Sequence, residues 1–195
     1  MKKIILSDCD GVLCDWEWAF HIWMQERGYK FDPEGKKNYQ IHHMYQNLTH
    51  PESKMLIRTF NESAAIGFLP AFRDSVHYVK RLHEMHGYKF RIISSLSLDK
   101  NAQRLREMNL RKLFGNAIDD VLCLDTGADK TEALTPYKDS NLFWLEDKPE
   151  NADLGHELGL NSLLIEHGHN MHHKCPYPVV KTWKELYKII TKGEK

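Results

Sequence analysis

The chain has no excess of charge of either sign: lysine plus arginine and aspartate plus glutamate number 27 each among its 195 residues. This balance provides no general electrostatic attraction to nucleic acid or to a membrane surface. Long hydrophobic runs are missing too, since no apolar stretch approaches the roughly 18–20 residues that span a bilayer. The apolar run after Met1-Lys2-Lys3 is broken by Asp8 and is too short for a signal peptide. We therefore expect a cytoplasmic protein with neither a membrane nor a nucleic-acid partner. The sequence leaves the oligomeric state undecided, with a homodimer as one alternative.

Cysteine is scarce. The four cysteines are Cys9, Cys14, Cys123 and Cys175, and no two of them form a C-x-x-C pair. A disulfide scaffold is not expected at this length, so reduced thiols and a cytoplasmic setting are the better prediction. Zinc binding by cysteine is not expected either.

Three common catalytic motifs are also missing. The sequence contains no G-x-x-x-x-G-K-[ST], which excludes a P-loop kinase at the level of motifs. It contains neither a G-x-S-x-G nucleophile elbow nor a G-x-G-x-x-G dinucleotide fingerprint.

Short apolar runs alternate with helical patterns along most of the chain, which predicts a parallel sheet covered by helices. The predicted strands are residues 3–7, 88–93, 121–124, 142–145 and 162–165, and a closing helix is predicted over 183–190. The segment 16–70 breaks this rhythm and is rich in aromatic residues and histidine. We interpret it as a small helical cap inserted into an α/β core made of residues 1–15 and 71–195.

Two carboxylates follow the first predicted strand. Asp8 and Asp10 come after the apolar run Ile4-Ile5-Leu6, and residues two apart on a strand project to the same face. Two acids held so close favour binding a cation, or splitting their pKa values so that one keeps a proton. That arrangement suits a nucleophile beside a general acid, and Gly11 allows the chain to turn sharply. The simpler alternative is an acidic turn after an ordinary strand.

Three further features fall at the ends of later predicted strands, where open parallel sheets place their sites. The hydroxyls of Ser94-Ser95 can hold a phosphate, and Lys130 can neutralise a phosphoryl group. Glu146-Asp147 supplies the hard oxygen ligands that magnesium prefers. Taken singly, each could instead be a turn serine, a surface lysine or an acidic helix N-terminus.

The order and placement of these features resemble the haloacid dehalogenase superfamily of phosphotransferases. Its first motif is matched by the six residues from Asp8 to Leu13, its second by Ser94, its third by Lys130 and its fourth by Glu146-Asp147. The resemblance implies a Rossmann-like sheet of about five strands in the order 3-2-1-4-5, with helices on both faces and a cap after the first strand.

A narrower resemblance is to the 5'(3')-deoxyribonucleotidase family. It rests on Asp8-x-Asp-Gly-Val-Leu-x-Asp-aromatic-Glu, on Ser94-Ser95, on Asp129-Lys130-Thr131, on an acidic pair followed by basic-Pro-acidic, and on Gly67-Phe68-Leu69-Pro70. The chain departs from that family in having Ser94 in place of the core threonine and Glu146 in place of an aspartate.

The resemblance implies a magnesium-dependent phosphomonoesterase that works through an aspartyl-phosphate on deoxynucleoside monophosphates. Asp8 would be the nucleophile, and Asp10 would act first as general acid and then as general base. Magnesium would be held by Asp8, the backbone carbonyl of Asp10 and Asp147, with Glu146 acting through water or from behind the direct ligands. The phosphate cradle would consist of Ser94, Ser95 and Lys130.

The substrate is predicted from the cap. Trp16, Phe20 and Trp23 share one helical face, and one of these rings could stack on a nucleobase; Phe68 and Phe72 are further candidates. The alternative is that the stripe only packs. Other substrates stay open for the same chemistry, namely a sugar phosphate, another small phosphometabolite or a polynucleotide 3'-phosphate. A phospho-ligand binding module is the non-enzymatic alternative.

A histidine-rich stretch near the end of the chain matches no zinc pattern. Its members are His167, His169, His172, His173 and Cys175. Its glycine and asparagine residues indicate a loop after the fifth strand. We predict a loop or a surface metal binder there, rather than a second metal site.

Overall fold

The computed structural model describes residues 3–32, 34–35 and 40–192. Its centre is a six-stranded sheet in the order β3-β2-β1-β4-β5-β6, with every neighbouring pair parallel. The strands are β1 Lys3–Ser7, β2 Tyr88–Ser95, β3 Ile118–Leu124, β4 Phe143–Glu146, β5 Asn161–Ile165 and β6 Val179–Val180. The predicted α/β class and the order of the first five strands are confirmed. The sixth strand was not predicted, because a pairing of two residues leaves no periodicity to detect.

Seven α-helices accompany the sheet in the described ranges. They are α1 Trp16–Glu26, α2 His50–Asn61, α3 Ser75–His86, α4 Lys100–Phe114, α5 Thr131–Leu134, α6 Pro149–Glu157 and α7 Trp183–Ile190. The predicted closing helix is confirmed as α7. None of the described helices is both long enough and apolar enough to cross a membrane.

The first strand lies in the middle of the sheet and is buried. Ile5 and Leu6 are fully inaccessible, and Ile5 pairs with Phe90 of β2 on one side and with Phe143 of β4 on the other. A strand covered on both faces reads as a continuous apolar run, as this one does. The strand order reverses beside β1, so its carboxyl end opens at the crevice where α/β sheets bind ligands. Asp8 is the first residue after that end.

The segment 16–70 is mainly helical where it is described. Its helix α1 begins after Asp15, whose carboxylate accepts a hydrogen bond from the Trp18 amide at 3.1 Å. Its helix α2 begins at Thr49 with a capping box completed by Glu52. We refer to this segment as the cap. Its standing as a separate unit beside the core of residues 1–15 and 71–195 stays a prediction, and residues 1–2 and 193–195 of that core lie outside the described ranges.

The turn after β1 is attached to the end of the chain. The indole nitrogen of Trp183, on α7, donates a hydrogen bond to the Val12 carbonyl at 2.9 Å, and Trp183 is almost fully buried. A buried indole N–H needs such an acceptor. Helix α7 thus fixes the backbone of the acidic turn through this hydrogen bond.

One close helix–sheet contact gives a test of the fold. A Cβ on Gly155 of α6 would lie 2.3 Å from the Trp144 Cδ1 atom, so the substitution Gly155→Ala overpacks the α6–β4 contact. We expect it to lower the free energy of unfolding by about 1–3 kcal/mol, despite the better helix propensity of alanine. Glu157→Ala, at an exposed position of the same helix, is the control and should change stability by less than about 0.5 kcal/mol. Urea unfolding of both variants checks this, and equal stabilities would contradict it.

Candidate active site

The carboxyl ends of the central strands open into a cavity of about 680 Å³ between the sheet and the cap. Its core wall includes Asp8, Asp10, Ser95, Lys130 and Asp147. These residues are far apart in sequence and are brought together because each follows a neighbouring strand of the same parallel sheet.

A buried lysine connects two of the acids. The Lys130 ammonium lies 2.9 Å from Asp8 Oδ1 and 2.8 Å from Glu146 Oε1. Burial alone would lower the pKa of Lys130, but the two carboxylates outweigh it and raise that pKa above the ordinary value. Lys130 therefore remains charged. It neutralises part of the repulsion between the acids on β1 and β4.

Glu146 is occupied by protein contacts. Its Oε1 accepts from Lys130 and, at 2.7 Å, from Asn151 Nδ2; its Oε2 accepts from the amides of Asp147 and Lys148 at 2.7 and 2.9 Å. Burial opposes ionisation, yet these donors, led by Lys130, lower the pKa of Glu146. Both oxygens are thus used to hold the lysine and the turn after β4.

Asp8 and Asp147 face the cavity in a different electrostatic state. Burial raises the pKa of Asp8 to about 7 against the opposing effect of Lys130, and neighbouring carboxylates add to the rise. Burial, with the charges of Glu146 and Asp8, also raises the pKa of Asp147 well above its ordinary value. Both groups would ionise more readily if a cation stood between them.

The residues fit a divalent cation. Asp8, Glu146 and Asp147 each place a carboxylate oxygen within 4.8 Å of the others. Beside this cluster, Asp10 forms an ion pair with Arg106 of α4. The clustered and ion-paired groups are therefore the carboxylates of Asp8, Asp10, Glu146 and Asp147 and the cations Lys130 and Arg106. Four carboxylates against two cations leave two negative charges when all are ionised. A hard divalent ion such as Mg²⁺, with its preference for oxygen ligands, would balance them.

Asp10 is held by a residue outside the predicted motifs. Arg106 on α4 reaches both of its carboxylate oxygens, with 2.9 Å between Nη2 and Oδ2, and it also contacts Cys9 Sγ at 2.7 Å. The arginine side chain is fully buried, whereas 25% of the Asp10 side chain is exposed toward the cavity. The Asp10 carboxylate is not among the three clustered acids. The metal ligand predicted for this residue is its backbone carbonyl.

The two serines that end β2 point to different places. Ser95 lies on the cavity wall, and its hydroxyl donates to the Ala128 carbonyl at 2.8 Å. Ser94 is fully buried and does not line the cavity, and its Oγ finds no hydrogen-bond partner in the described part of the chain. Only the Ser95 hydroxyl therefore lies on the cavity wall, because neighbouring residues of a strand face opposite ways. The predicted phosphate-binding role of the two serines stays a prediction.

Gly11 lets the acidic turn approach β4. It has φ +72°, and a Cβ there would lie 2.4 Å from Asp147 Oδ2. The Gly11 carbonyl accepts a hydrogen bond from His167 Nε2 at 2.8 Å, while Asn170 Nδ2 donates to the Asp147 carbonyl at 2.7 Å. Backbone on both sides of the site is therefore fixed by the loop after β5.

The histidine-rich stretch is a loop after β5, as predicted, and part of it faces the site. His167 and His169 line the cavity rather than the outer surface. His167 stacks on Phe72 with 5.0 Å between ring centroids, and its burial lowers its pKa to about 4. It is therefore a neutral donor. A signal was available, since His167 lies two residues beyond the end of β5, the same kind of position as the other site residues.

The remaining members of that stretch lie beside α6. His173 Nε2 is 3.1 Å from an Asp153 carboxylate oxygen, which also accepts from the Tyr177 hydroxyl. These contacts tie the loop to α6. In the described ranges they form no cluster of metal-binding geometry, since the one such cluster is that of the three acids.

The aromatic stripe of α1 mostly packs. Phe20 and Trp23 are 1% and 7% exposed, stack on one another and meet Phe60 edge to face, so they do not reach the cavity. Phe68 is 67% exposed but lies off the cavity wall, beneath the Lys112 ammonium. The structure thus places none of these three residues on the cavity wall, and for Phe20 and Trp23 it agrees with the alternative of packing, because the face of the helix that carries them is turned toward α2.

Trp16 does line the cavity. Its indole nitrogen donates to Asn61 Oδ1 at 2.9 Å, which fixes the ring, and Asn61 in turn donates to the Leu96 carbonyl of the core. The other apolar side chains on this wall are Ile41, Met44, Ile57 and Phe72. The cavity thus has an acidic floor on the core. Its cap side combines apolar side chains with polar and charged ones, among them Glu17, His50 and Lys54.

No protein-family model matches the chain. An uncharacterised 32.4 kDa protein of Enterobacteria phage T4 is 25% identical over an alignment of 172 residues that covers 81% of this chain; the chain spans 58% of the length of that curated relative. A haloacid dehalogenase-like hydrolase from Streptococcus pneumoniae superposes with a TM-score of 0.66 at 15% identity, over 96% of this chain and 98% of that one. A putative phosphoglycolate phosphatase from Lactobacillus delbrueckii gives 0.64 at 13% identity, over 97% and 98%. The chain therefore has the fold of the haloacid dehalogenase-like hydrolases.

The raised pKa values give a pH-dependent stability. Asp8 has a pKa of about 7 when folded against 3.8 as its ordinary value, so the folded state binds more protons between these limits. The metal-free protein should therefore lose stability as the pH rises from about 4 to about 7. Mg²⁺ should raise the melting temperature clearly at pH 8 and little at pH 5, where protons compete for the same oxygens.

Thermal melts in EDTA and in excess Mg²⁺ at both pH values check this. Asp147→Asn is the matched variant and should abolish the gain at pH 8. An equal gain from Mg²⁺ at pH 5 and pH 8 would contradict the assignment of these carboxyl groups.

Proposed function

We propose that this protein is a magnesium-dependent phosphomonoesterase that works through an aspartyl-phosphate on Asp8, with deoxynucleoside monophosphates as its substrates. One observation carries the proposal. The Asp8 carboxylate stands at the end of the central strand, paired with Lys130 and close to Asp147, on the floor of a cavity of about 680 Å³. That volume is within the range of small-molecule sites.

The two oxygens of Asp8 are differently engaged. Oδ1 accepts from the Cys9 amide at 2.7 Å and from Lys130 at 2.9 Å. In this mechanism Oδ2 attacks phosphorus in line, a P–O bond to Asp8 forms, and the bond to the leaving oxygen breaks. Lys130 fixes the carboxylate during this attack and neutralises part of the charge that develops on the phosphoryl oxygens.

Asp10 handles the protons. As a carboxylic acid it donates its proton to the leaving oxygen as the P–O bond breaks. As a carboxylate it then takes a proton from water, which attacks phosphorus and releases inorganic phosphate from Asp8. Its partly exposed side chain lies on the cavity wall, where both transfers take place.

Mg²⁺ would be held by Asp8, Asp147 and the backbone carbonyl of Asp10. When bound, it reduces the repulsion between the anionic nucleophile and the anionic phosphate. Glu146 keeps its oxygens on Lys130 and on the turn amides, so its part is to position the neighbouring ligand Asp147.

The nucleotide assignment is supported by the cap wall and by the resemblance of the motifs. Trp16 presents a ring of fixed orientation to the cavity, whose apolar lining also includes Ile57 and Phe72. A nucleoside leaving group offers a flat apolar base to such a wall, and stacking of a base on an aromatic ring contributes about 1–3 kcal/mol.

One observation favours a second substrate class, a polynucleotide 3'-phosphate. His50, Lys54 and Arg58 are spaced four apart on α2, and all three line the cavity. A basic strip beyond the scissile phosphate suits a substrate with a further phosphate. The Arg58 guanidinium is already paired with Asp125 at 3.0 Å, so less of this charge is available than the sequence indicates.

Phosphate release from a panel of substrates tests the function. The panel contains deoxy- and ribonucleoside monophosphates, several sugar phosphates, an oligonucleotide 3'-phosphate and p-nitrophenyl phosphate. We expect turnover of deoxynucleoside monophosphates that stops in EDTA and in Asp8→Asn, because the amide is nearly isosteric but cannot attack. Turnover of sugar phosphates alone would keep the chemistry and reject the substrate. If the folded protein with Mg²⁺ binds phosphate ligands but hydrolyses none, it is the binding module considered above.

The aromatic wall gives a sharper test of the substrate. Trp16→Leu should raise KM for a nucleoside monophosphate about tenfold, as expected for one lost base–ring stack. It should leave KM for p-nitrophenyl phosphate within about twofold. Trp18→Leu is the matched control, because Trp18 lies on the same helix, is 55% exposed and does not line the cavity. Steady-state kinetics of both variants decide the point, and an unchanged nucleotide KM in Trp16→Leu would rule out stacking there.

A further inference from the structure

Arg106 is the one fully buried arginine in the described chain, and none of the sequence motifs includes it. It projects from the middle of α4, and its guanidinium reaches the acidic turn. Burying a guanidinium is unfavourable unless its charge is paired and its donors are used. The groups that the Arg106 guanidinium contacts therefore account for its buried position.

Those contacts lie on one carboxylate. Nη1 and Nη2 of Arg106 each meet one oxygen of Asp10, and Nη1 also contacts Cys9 Sγ. A two-point contact between a planar guanidinium and a carboxylate fixes the plane of the carboxylate as well as its place. The third nitrogen, Nε, is buried and finds no hydrogen-bond partner in the described ranges. The arginine is thus directed at Asp10, although this leaves one of its own donors unsatisfied.

The arginine and the cavity lie on opposite sides of Asp10. Arg106 is inaccessible, while Asp10 is partly exposed and lines the cavity. We propose that Arg106 is a positioning residue, which holds the Asp10 carboxyl group in the orientation needed for proton transfer to the leaving oxygen. This role rests on the proposed phosphatase function.

The role predicts a dependence on the leaving group. As Asp8 bonds to phosphorus, the electron pair of the breaking P–O bond goes to the leaving oxygen. An alkoxide must receive the Asp10 proton at that moment, whereas p-nitrophenolate is stable enough to depart without it. Misorientation of Asp10 should therefore slow the reaction of alkyl phosphates much more than that of p-nitrophenyl phosphate. A purely structural arginine would affect both substrates alike.

The experiment compares Arg106→Met with the wild-type protein in saturating Mg²⁺. The quantity measured is kcat/KM, which reports the steps up to departure of the leaving group, so hydrolysis of the common aspartyl-phosphate does not mask the effect. For the alkyl phosphate turned over best in the panel we expect a fall of about 100-fold, the lower range for loss of general acid catalysis. For p-nitrophenyl phosphate we expect a fall of less than about fivefold. Arg106→Lys, which keeps the charge but not the two-point contact, should lie between.

Three controls separate positioning from structure. Arg111→Met removes another arginine of α4, one that pairs with Glu107 at the surface. It should leave kcat/KM unchanged for both the alkyl phosphate and p-nitrophenyl phosphate. Asp10→Asn should show the same leaving-group dependence, and adding Arg106→Met to it should cost little more on the alkyl phosphate. Thermal melts show which variants are folded, and Arg106→Lys carries the comparison if the methionine variant is not.

The outcomes are distinct. Equal losses on both substrates, or independent losses in the double variant, overturn the positioning role while the phosphatase function stands. A faster reaction of alkyl phosphates in Arg106→Met overturns it too. A folded wild-type protein without turnover of any phosphomonoester rejects the proposed function and this role with it.

Discussion

The buried ammonium of Lys130 is the contact on which the rest of the site depends. It lies between Asp8 and Glu146, which belong to neighbouring strands and would repel one another at this distance. A buried cation needs such partners, and buried acids need such a cation. The lysine also determines what each acid can do. Glu146 is committed to it and to the backbone, so Asp147 is left to face the cavity.

The apolar runs were sufficient to predict the sheet, because a buried parallel strand leaves a continuous signal in the sequence. Once the sheet is known, Asp8, Lys130 and Asp147 must lie near one another, since each follows a strand at the same edge. Arg106 could not be found this way. It lies in the middle of a helix and not at the end of a strand, and only its long side chain brings its guanidinium to Asp10. A site residue of that kind depends on packing, which periodicity does not describe.

Finer detail could not be predicted where the answer depends on which way a side chain points. Ser94 and Ser95 are adjacent, yet the turn of one residue along a strand puts only Ser95 on the cavity wall. Trp16 and Phe20 share a helical face and both meet Phe60 of the second cap helix, yet only Trp16 also lines the cavity. The face of α1 can be predicted from spacing alone. Which part of that face is covered depends on a neighbouring helix about 40 residues away.

The attachment of the acidic turn to the end of the chain has a consequence for the order of assembly. The Gly11 carbonyl is bonded by a side chain 156 residues later, and the Val12 carbonyl by one 171 residues later. Contacts of such long sequence separation form late, and chains are synthesised from the N-terminus. In a nascent chain Asp8 is therefore synthesised long before the residues that hold the turn around it. The chain acquires the finished geometry around that residue only after α7 has left the ribosome and docked.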